Sequence, residues 1–298
     1  MPISLLVLAL APSLLRESKD PNATGNVDLV GVPIGTIGVG LVMFAIVQAG
    51  SWGLTDPRVV AAFLVGLSMF PILIRRSRHQ PEPLLELDLF RLRSFSSTNA
   101  GLALYSTAFT SGFLVNSLLL QEMWGESLRA TGLALVAAPL LSAITSPIAG
   151  RFADRVGHRW ILAAGSASCA VGYLTYLFVL DENPATWSVF VPVSLFVGLG
   201  VGATIATWSS AGLADVSPAK FGTANATVRT TQQVFYALGI SIVIVLLADV
   251  SIDPRIDQFR WAWAFVGVGY LTAAVVVAVT FPSGSSDDRA AAGTTRSA

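Results

Sequence analysis

The densest set of side chains that could do chemistry is the run Gly150-Arg151-Phe152-Ala153-Asp154-Arg155-Val156-Gly157-His158-Arg159. Its one carboxylate, Asp154, stands among basic groups. At a membrane surface it can accept hydrogen bonds from a neighbouring helix N-terminus and pair with an arginine, and both favour the ionised form. Gly150 and Gly157 would permit the tight turn and positive φ of a short helix–helix link. A contact that forms in one conformation and breaks in another biases the balance between them. Gly150, Asp154, Arg155, Gly157 and Arg159 are therefore candidate latch residues. The plainer reading is a solvated basic loop whose charges set topology only.

A second polar set lies inside apolar surroundings: Asn99, Tyr105, Thr110, Asn116 and Gln121, then Thr227, Thr230, Thr231, Gln232 and Gln233. Of these, Asn99, Tyr105, Asn116, Gln121, Gln232 and Gln233 are candidate cavity-lining residues; each can equally serve as an interhelical hydrogen bond. Catalysis finds no footing, because neither paired carboxylates nor a nucleophile with its base can be assembled. One cysteine and two histidines make neither a disulfide nor a metal cluster. Cys169, within ILAAGSASCAVGYL, reads as a small apolar packing residue. No cofactor is called for.

These groups need elements to position them, and the composition says which. Hydrophobic residues make up 53% and charged residues 12% of the 298, with a mean hydropathy of +0.68. Soluble domains carry about 25% charged residues, so most of this chain avoids water. A net charge of zero gives no field for nucleic acid. Eight apolar stretches approach or exceed spanning length: Gly31–Ala49, Val59–Ile74, Thr98–Leu120, Thr131–Ala149, Trp160–Leu180, Trp187–Ser210, Val228–Ala248 and Trp261–Phe281. They lack the polar–apolar alternation of barrel strands and so predict helices. The glycines of GVPIGTIGVG and VGLGVGATIA fit close helix packing in lipid. No phosphate-binding Gly-x-x-x-x-Gly-Lys-Ser/Thr run is present.

Basic residues alternate between connections. Arg16 and Lys19, then Arg75 to Arg93, Arg151 to Arg159, Lys220 and Arg229, and finally Arg289 and Arg296 fall on one side; the other holds Arg58, Arg129, Arg255 and Arg260. By the positive-inside rule the rich side, with the C-terminus, is cytoplasmic, as for a multi-pass protein of the plasma membrane. Trp52, Trp124, Trp160, Trp187 and Trp261 sit at predicted span ends, as an aromatic belt would. The segment Pro83 to Phe95 mixes leucines with charges; it reads as a helix lying in the headgroups or as a tight connector. Residues 282–298 read as a disordered cytoplasmic tail. The apolar Pro2 to Leu15 is too short to span and lacks a basic leader, so 1–15 reads as the closing stub of a helix.

The run Gly150–Arg159 resembles the signature loop of the major facilitator superfamily, Gly-x-Leu-Ala-Asp-Arg-x-Gly-(Arg/Lys)-(Arg/Lys), with Phe152 for the leucine and His158 for the first terminal basic residue. Arg16-Glu17-Ser18 after an apolar stub, the Pro83–Phe95 segment, Gln121, Gly132-Leu133 through Pro139, and Phe221-Gly222-Thr223-Ala224-Asn225 followed by Gln232-Gln233 are similar to its fourteen-helix drug–proton antiporter subfamily. The resemblance implies an all-α integral membrane bundle: residues 16–96 carry two central helices with cytoplasmic connectors, and 97–281 the second six-helix bundle. It also implies efflux of a small lipophilic or amphiphilic substrate across the bilayer by alternating access. The first six-helix half, with its membrane carboxylate, would lie outside this chain, and alone the chain is expected to transport poorly or not at all. Phe235 and Tyr236 replace small glycines of that subfamily, which puts close helix approach there in doubt. The alternative is a non-transporting membrane partner that assembles with another bundle or with a copy of itself.

Overall fold

In lipid no water satisfies a peptide group, so every N–H and C=O along an apolar run must bond within its own helix. The computed structural model describes residues 30–53, 55–79, 86–248, 250 and 252–282. Among them, eight helices are long and apolar enough to cross a membrane. They are α1 Gly31–Trp52, α2 Pro57–Ser77, α3 Arg93–Leu118, α4 Leu128–Val156, α5 His158–Val179, α6 Val191–Leu213, α7 Phe221–Leu246 and α8 Ile256–Thr280. A π turn, Leu119–Met123, prolongs α3, and another, Thr186–Phe190, leads into α6. The shortest, α2, has 21 residues, or about 32 Å at 1.5 Å per residue, against a hydrocarbon core of about 30 Å. The predicted fold class and all eight spans are present. The stub over 1–15, Arg16 to Ser18 and the tail beyond Pro282 lie outside the described residues.

Helix starts follow local chemistry. Asp56 accepts a hydrogen bond from the Arg58 N–H at 2.8 Å with Pro57 in the first turn, and Ser127 Oγ accepts from the Ala130 N–H at 3.2 Å. Helix α2 carries Pro71 in its interior, and α4 carries Pro139 and Pro147.

The packing has an internal symmetry. Helix α4 packs on α6, α6 on α5, α5 on α8, α8 on α3, and α3 on α7. Exchanging α3–α4–α5 for α6–α7–α8 turns α4·α6 into α7·α3 and α5·α6 into α8·α3, while α5·α8 and α3·α6 map onto themselves. Consecutive spans alternate in direction, so helices three apart run oppositely and the six form an inverted repeat. Outside it stands the α1–α2 hairpin, docked on the bundle through α1 against α7.

Small residues make the seams. A Cβ on Gly198 would lie 2.6 Å from the Ala138 carbonyl of α4, and one on Gly200 would lie 2.6 Å from Cys169 Sγ of α5. The glycine run of α6 thus faces two neighbours at once. Cys169 is fully buried there, as a packing residue should be. On α7, Phe235 and Tyr236 do not prevent close approach to α3, because it occurs one turn later. A Cβ on Gly239 would meet Thr107 O and lie 2.6 Å from Thr110 Oγ1. Thr110 and Ser111 donate across this seam to Tyr236 O at 2.8 Å and Gly239 O at 3.0 Å.

One open reading is decided and one expectation changes. The described part of the Pro83–Phe95 segment is a tight connector with one 3-10 turn, Leu87–Arg91, before α3 begins. Leu89 and Phe95 are buried in the bundle, so the apolar side faces protein. Glu86 pairs with Lys220, tying this connector to the one between α6 and α7 at one end of the bundle. Trp52, Trp160, Trp187 and Trp261 are exposed as belt residues are, but Trp124 is buried. Its indole N–H donates to Asp181 O at 3.1 Å and its ring meets Phe190 edge-on, which turns it inward.

Gly239→Ala is expected to lower the thermal midpoint in detergent by an amount equivalent to about 1–3 kcal/mol. Gly132→Ala in α4, where an added Cβ meets nothing within 4 Å, should hold or raise it. Differential scanning fluorimetry of the two variants beside the parent checks the contrast.

Candidate functional site

Aromatic residues spread from the middle of the spans toward one end converge on one cavity of about 530 Å³. Helix α3 contributes Phe109, Phe113 and Asn116; α4 contributes Pro139, Ser142 and Ser146; α5 contributes Tyr173 and Tyr176; the α6 segment contributes Phe190 and Ser194; and α8 contributes Tyr270. The volume falls within the roughly 300–1,000 Å³ of small-molecule sites, and the mix of rings with a few polar groups is their usual composition.

The ring wall is held by contacts that fix each side chain. Tyr173 stacks on Tyr270 at 5.7 Å, Tyr270 meets Tyr105 edge-on at 5.1 Å, and Tyr176 stacks on Phe190 at 5.2 Å. Such pairs contribute about 0.5–1.5 kcal/mol each beyond area burial. Three of the tyrosine hydroxyls, those of Tyr105, Tyr173 and Tyr176, have hydrogen-bond partners. Tyr176 donates to Phe190 O at 3.0 Å, and Tyr105 Oη accepts from Thr204 Oγ1 at 2.7 Å. Asn116 is the keystone: its Oδ1 accepts from Trp263 Nε1 of α8 at 3.1 Å, and its Nδ2 donates to Tyr173 Oη of α5 at 3.4 Å.

The six cavity candidates therefore divide. Asn116 lines the cavity; Tyr105 sits behind its wall, 2% exposed. Asn99 ties α3 to α7 by accepting from Thr231 Oγ1 at 2.9 Å. Gln121 turns back on its own helix, donating to Ser117 Oγ at 2.8 Å. Gln232 bridges Arg229, whose Nη1 donates to it at 3.0 Å, and Tyr236, to which it donates at 2.9 Å. Gln233 is exposed. Thr227, Thr230 and Thr231 line a second cleft of about 600 Å³, between α7 and the α1–α2 hairpin, with Thr36 and Phe70 opposite. The single polar set of the sequence thus serves two separate spaces. The aromatic wall was missed. Its trace in the sequence is Tyr173 and Tyr176, three apart inside an apolar run and so on one helix face.

The basic motif is less of a loop than expected. Helix α4 continues to Val156, Gly157 alone breaks the helix, and α5 begins at His158. Gly157 has φ 92° and ψ 147°, a conformation that only glycine adopts without strain. Gly150 does not share that role: it lies within α4 and is not among the described positive-φ glycines, which are Gly53, Gly125 and Gly157. Charged residues were read as the loop, but helical bonding carries on past the apolar core into water. Arg155 is exposed, and the Arg159 guanidinium lies 5.1 Å over the Trp160 ring, an attractive geometry. The buried Arg159 Nε has no hydrogen-bond partner among the described residues. Asp154 is helical in its backbone, and its side chain lies outside what is described.

An inverted repeat of three-helix units around such a cavity defines a membrane transporter bundle. The chain belongs to the Major Facilitator Superfamily, whose sequence profile matches residues 100–297. It is 25% identical over 250 residues to the "Multidrug resistance protein B homolog" of Mycobacterium tuberculosis strain H37Rv, covering 83% of this chain and 46% of that protein. Against the "Multidrug efflux pump LfrA" of Mycolicibacterium smegmatis it is 27% identical over 239 residues, covering 80% and 47%. With the "Lincomycin resistance protein LmrB" of Listeria monocytogenes it shares 25% over 226 residues, covering 75% and 47%. The chain spans about half the length of these curated relatives.

Asn116→Ala is expected to lower stability by about 1–3 kcal/mol, because it leaves the buried Trp263 indole and the Tyr173 hydroxyl unpaired. Thermal melting in detergent followed by tryptophan emission should register the loss, and Gln233→Ala should match the parent.

Proposed function

We propose that this chain is the second six-helix bundle, with its central hairpin, of a small-molecule efflux antiporter that works by alternating access, exporting rather than chemically altering its substrate. The observation that carries the reading is the aromatic cavity between α3, α4 and α6. Sites in such proteins lie near mid-membrane where the repeats meet, and access changes as one bundle rocks against the other. Two of the relatives carry names of multidrug type and one of lincomycin resistance, which supports a drug-like small-molecule substrate.

Three further assignments belong to this reading. The bundle acts with a companion six-helix bundle and does not pump alone, since rocking needs an opposing body. Proton coupling draws on a carboxylate of that companion, because the helix interiors among the described residues hold no acidic side chain. Gly157, with Arg155, Asp154 and Arg159 around it, is the pivot and latch at the cytoplasmic end.

Reconstituted alone into liposomes, the chain should bind a lipophilic fluorescent dye saturably, lose affinity in Phe113→Ala, and move no dye against a gradient. With a first-half bundle co-reconstituted, dye export should appear. Export by the chain alone would remove the two-bundle requirement. A stable homodimer on cross-linking, with no flux even beside a companion bundle, would replace transport by a purely structural partnership.

The same reading places the C-terminus and the basic connections in the cytoplasm, in the plasma membrane. Cysteines introduced at Arg91 and Arg155 should both react with an impermeant maleimide in inverted vesicles, and one at Glu182 only in intact cells. Reaction of Arg91→Cys and Arg155→Cys from opposite faces would refute that orientation.

A further inference from the structure

Of the charged side chains described, Arg229 lies farthest from either end of its helix. It stands about 12 Å along α7 from Phe221 at 1.5 Å per residue. A charge at such depth is costly, and arginine ordinarily extends toward the nearer interface to keep its head in water. Arg229 does the reverse. Its Nη1 donates to Gln232, which is farther into the span, and Gln232 in turn donates to the Tyr236 hydroxyl. The Tyr236 ring stacks on Phe109 at 5.7 Å, and Phe109 lines the aromatic cavity. A ladder of contacts therefore runs from the cavity wall to an exposed guanidinium aimed back along it. That guanidinium makes no ion pair among the described residues, and one hydrogen bond uses one of its five donors. The stripe does not belong to the hairpin cleft, whose α7 lining is Ala226, Thr227, Thr230, Thr231, Val234 and Phe235.

We propose that Arg229 is an anion handle at the rim of the aromatic cavity, and that the substrates of this bundle are amphiphilic aromatic anions. The ring system occupies the space beside Phe109 and Phe113, and a carboxylate, sulfonate or phosphate ester takes the free fork of Arg229, with Gln232 setting its direction. Seven residues separate Arg229 from Tyr236, about 10 Å along the helix, a span that a drug-sized molecule bridges. An anionic oxygen facing the planar fork makes charge-assisted hydrogen bonds, roughly twice as strong as neutral ones, and offsets the cost of holding a cation at this depth along the span. The proposal rests on the aromatic cavity being the substrate site.

The test uses the full chain in phosphatidylcholine nanodiscs, with empty-disc signal subtracted, and two probes that share their rings. These are N-phenyl-1-naphthylamine, which is neutral, and 8-anilino-1-naphthalenesulfonate, which carries the anion. The sulfonate should bind at a saturable site about tenfold more tightly than the amine, as expected for one charge-assisted bond. Arg229→Gln should abolish that preference while leaving the neutral probe's affinity unchanged, which also shows that the variant is folded. Arg229→Lys should keep part of the preference as a point charge without the fork. Equal affinities in the parent, or a preference that survives Arg229→Gln, would overturn the anion handle and leave the cavity reading standing. Neutral-probe binding unaffected by Phe113→Ala would instead overturn the cavity reading, and the handle with it.

Discussion

Backbone contact between helices is what everything else in this molecule depends on. Lipid tails are as apolar as leucine, so nothing pushes apolar helices together as water does. Attraction has to come from short-range packing, which requires backbones to approach. Gly198 and Gly200 on α6 let α4 and α5 close on opposite sides of one helix, and Gly239 does the same for α7 against α3. The inverted-repeat arrangement is the sum of these seams. Remove one, and the helices retain their internal hydrogen bonds but lose their reason to sit together.

Once backbones are close, polar side chains decide the register. Asn116 joins α3 to α5 and α8, Asn99 joins α3 to α7, and Thr204 joins α6 to Tyr105 of α3. In a medium without water each such group seeks a partner, so a sliding helix would strand several at once. These bonds place the aromatic side chains in one arrangement, and the cavity is the volume they leave unfilled. The site is thus a by-product of how the seams and polar bridges are spaced.

The spans were legible because length and hydropathy alone determine them, and even α2 with its internal Pro71 was found. The glycine runs were legible as packing surfaces for the same reason. Which helices would meet was not. Gln121 and Asn116 look alike in the sequence, yet one bonds within its own turn and the other holds three helices, because only the second faces neighbours. Thr230 and Asn116 belong to one polar set in the sequence, yet they line separate spaces, the first beside the α1–α2 hairpin and the second in the aromatic cavity. The basic motif was read as a loop since charge marks the edge of the apolar core. Helix geometry obeys hydrogen bonds rather than hydropathy, and only Gly157 interrupts it.

The α1–α2 hairpin breaks the symmetry of the six helices around it. Exchange of the two repeats carries α7 onto α4, yet nothing described covers α4 as α1 covers α7, and Leu133, Leu140, Ile144 and Ile148 of α4 remain exposed. A two-helix element attached along one seam adds no requirement to the folding of the bundle behind it. Its presence changes the outer contour beside α7 and leaves the contacts among the six helices as they are. The two flanks of one symmetric body then present different surfaces: on one, α4 shows its own apolar side chains, and on the other α7 stands behind a second layer of helix.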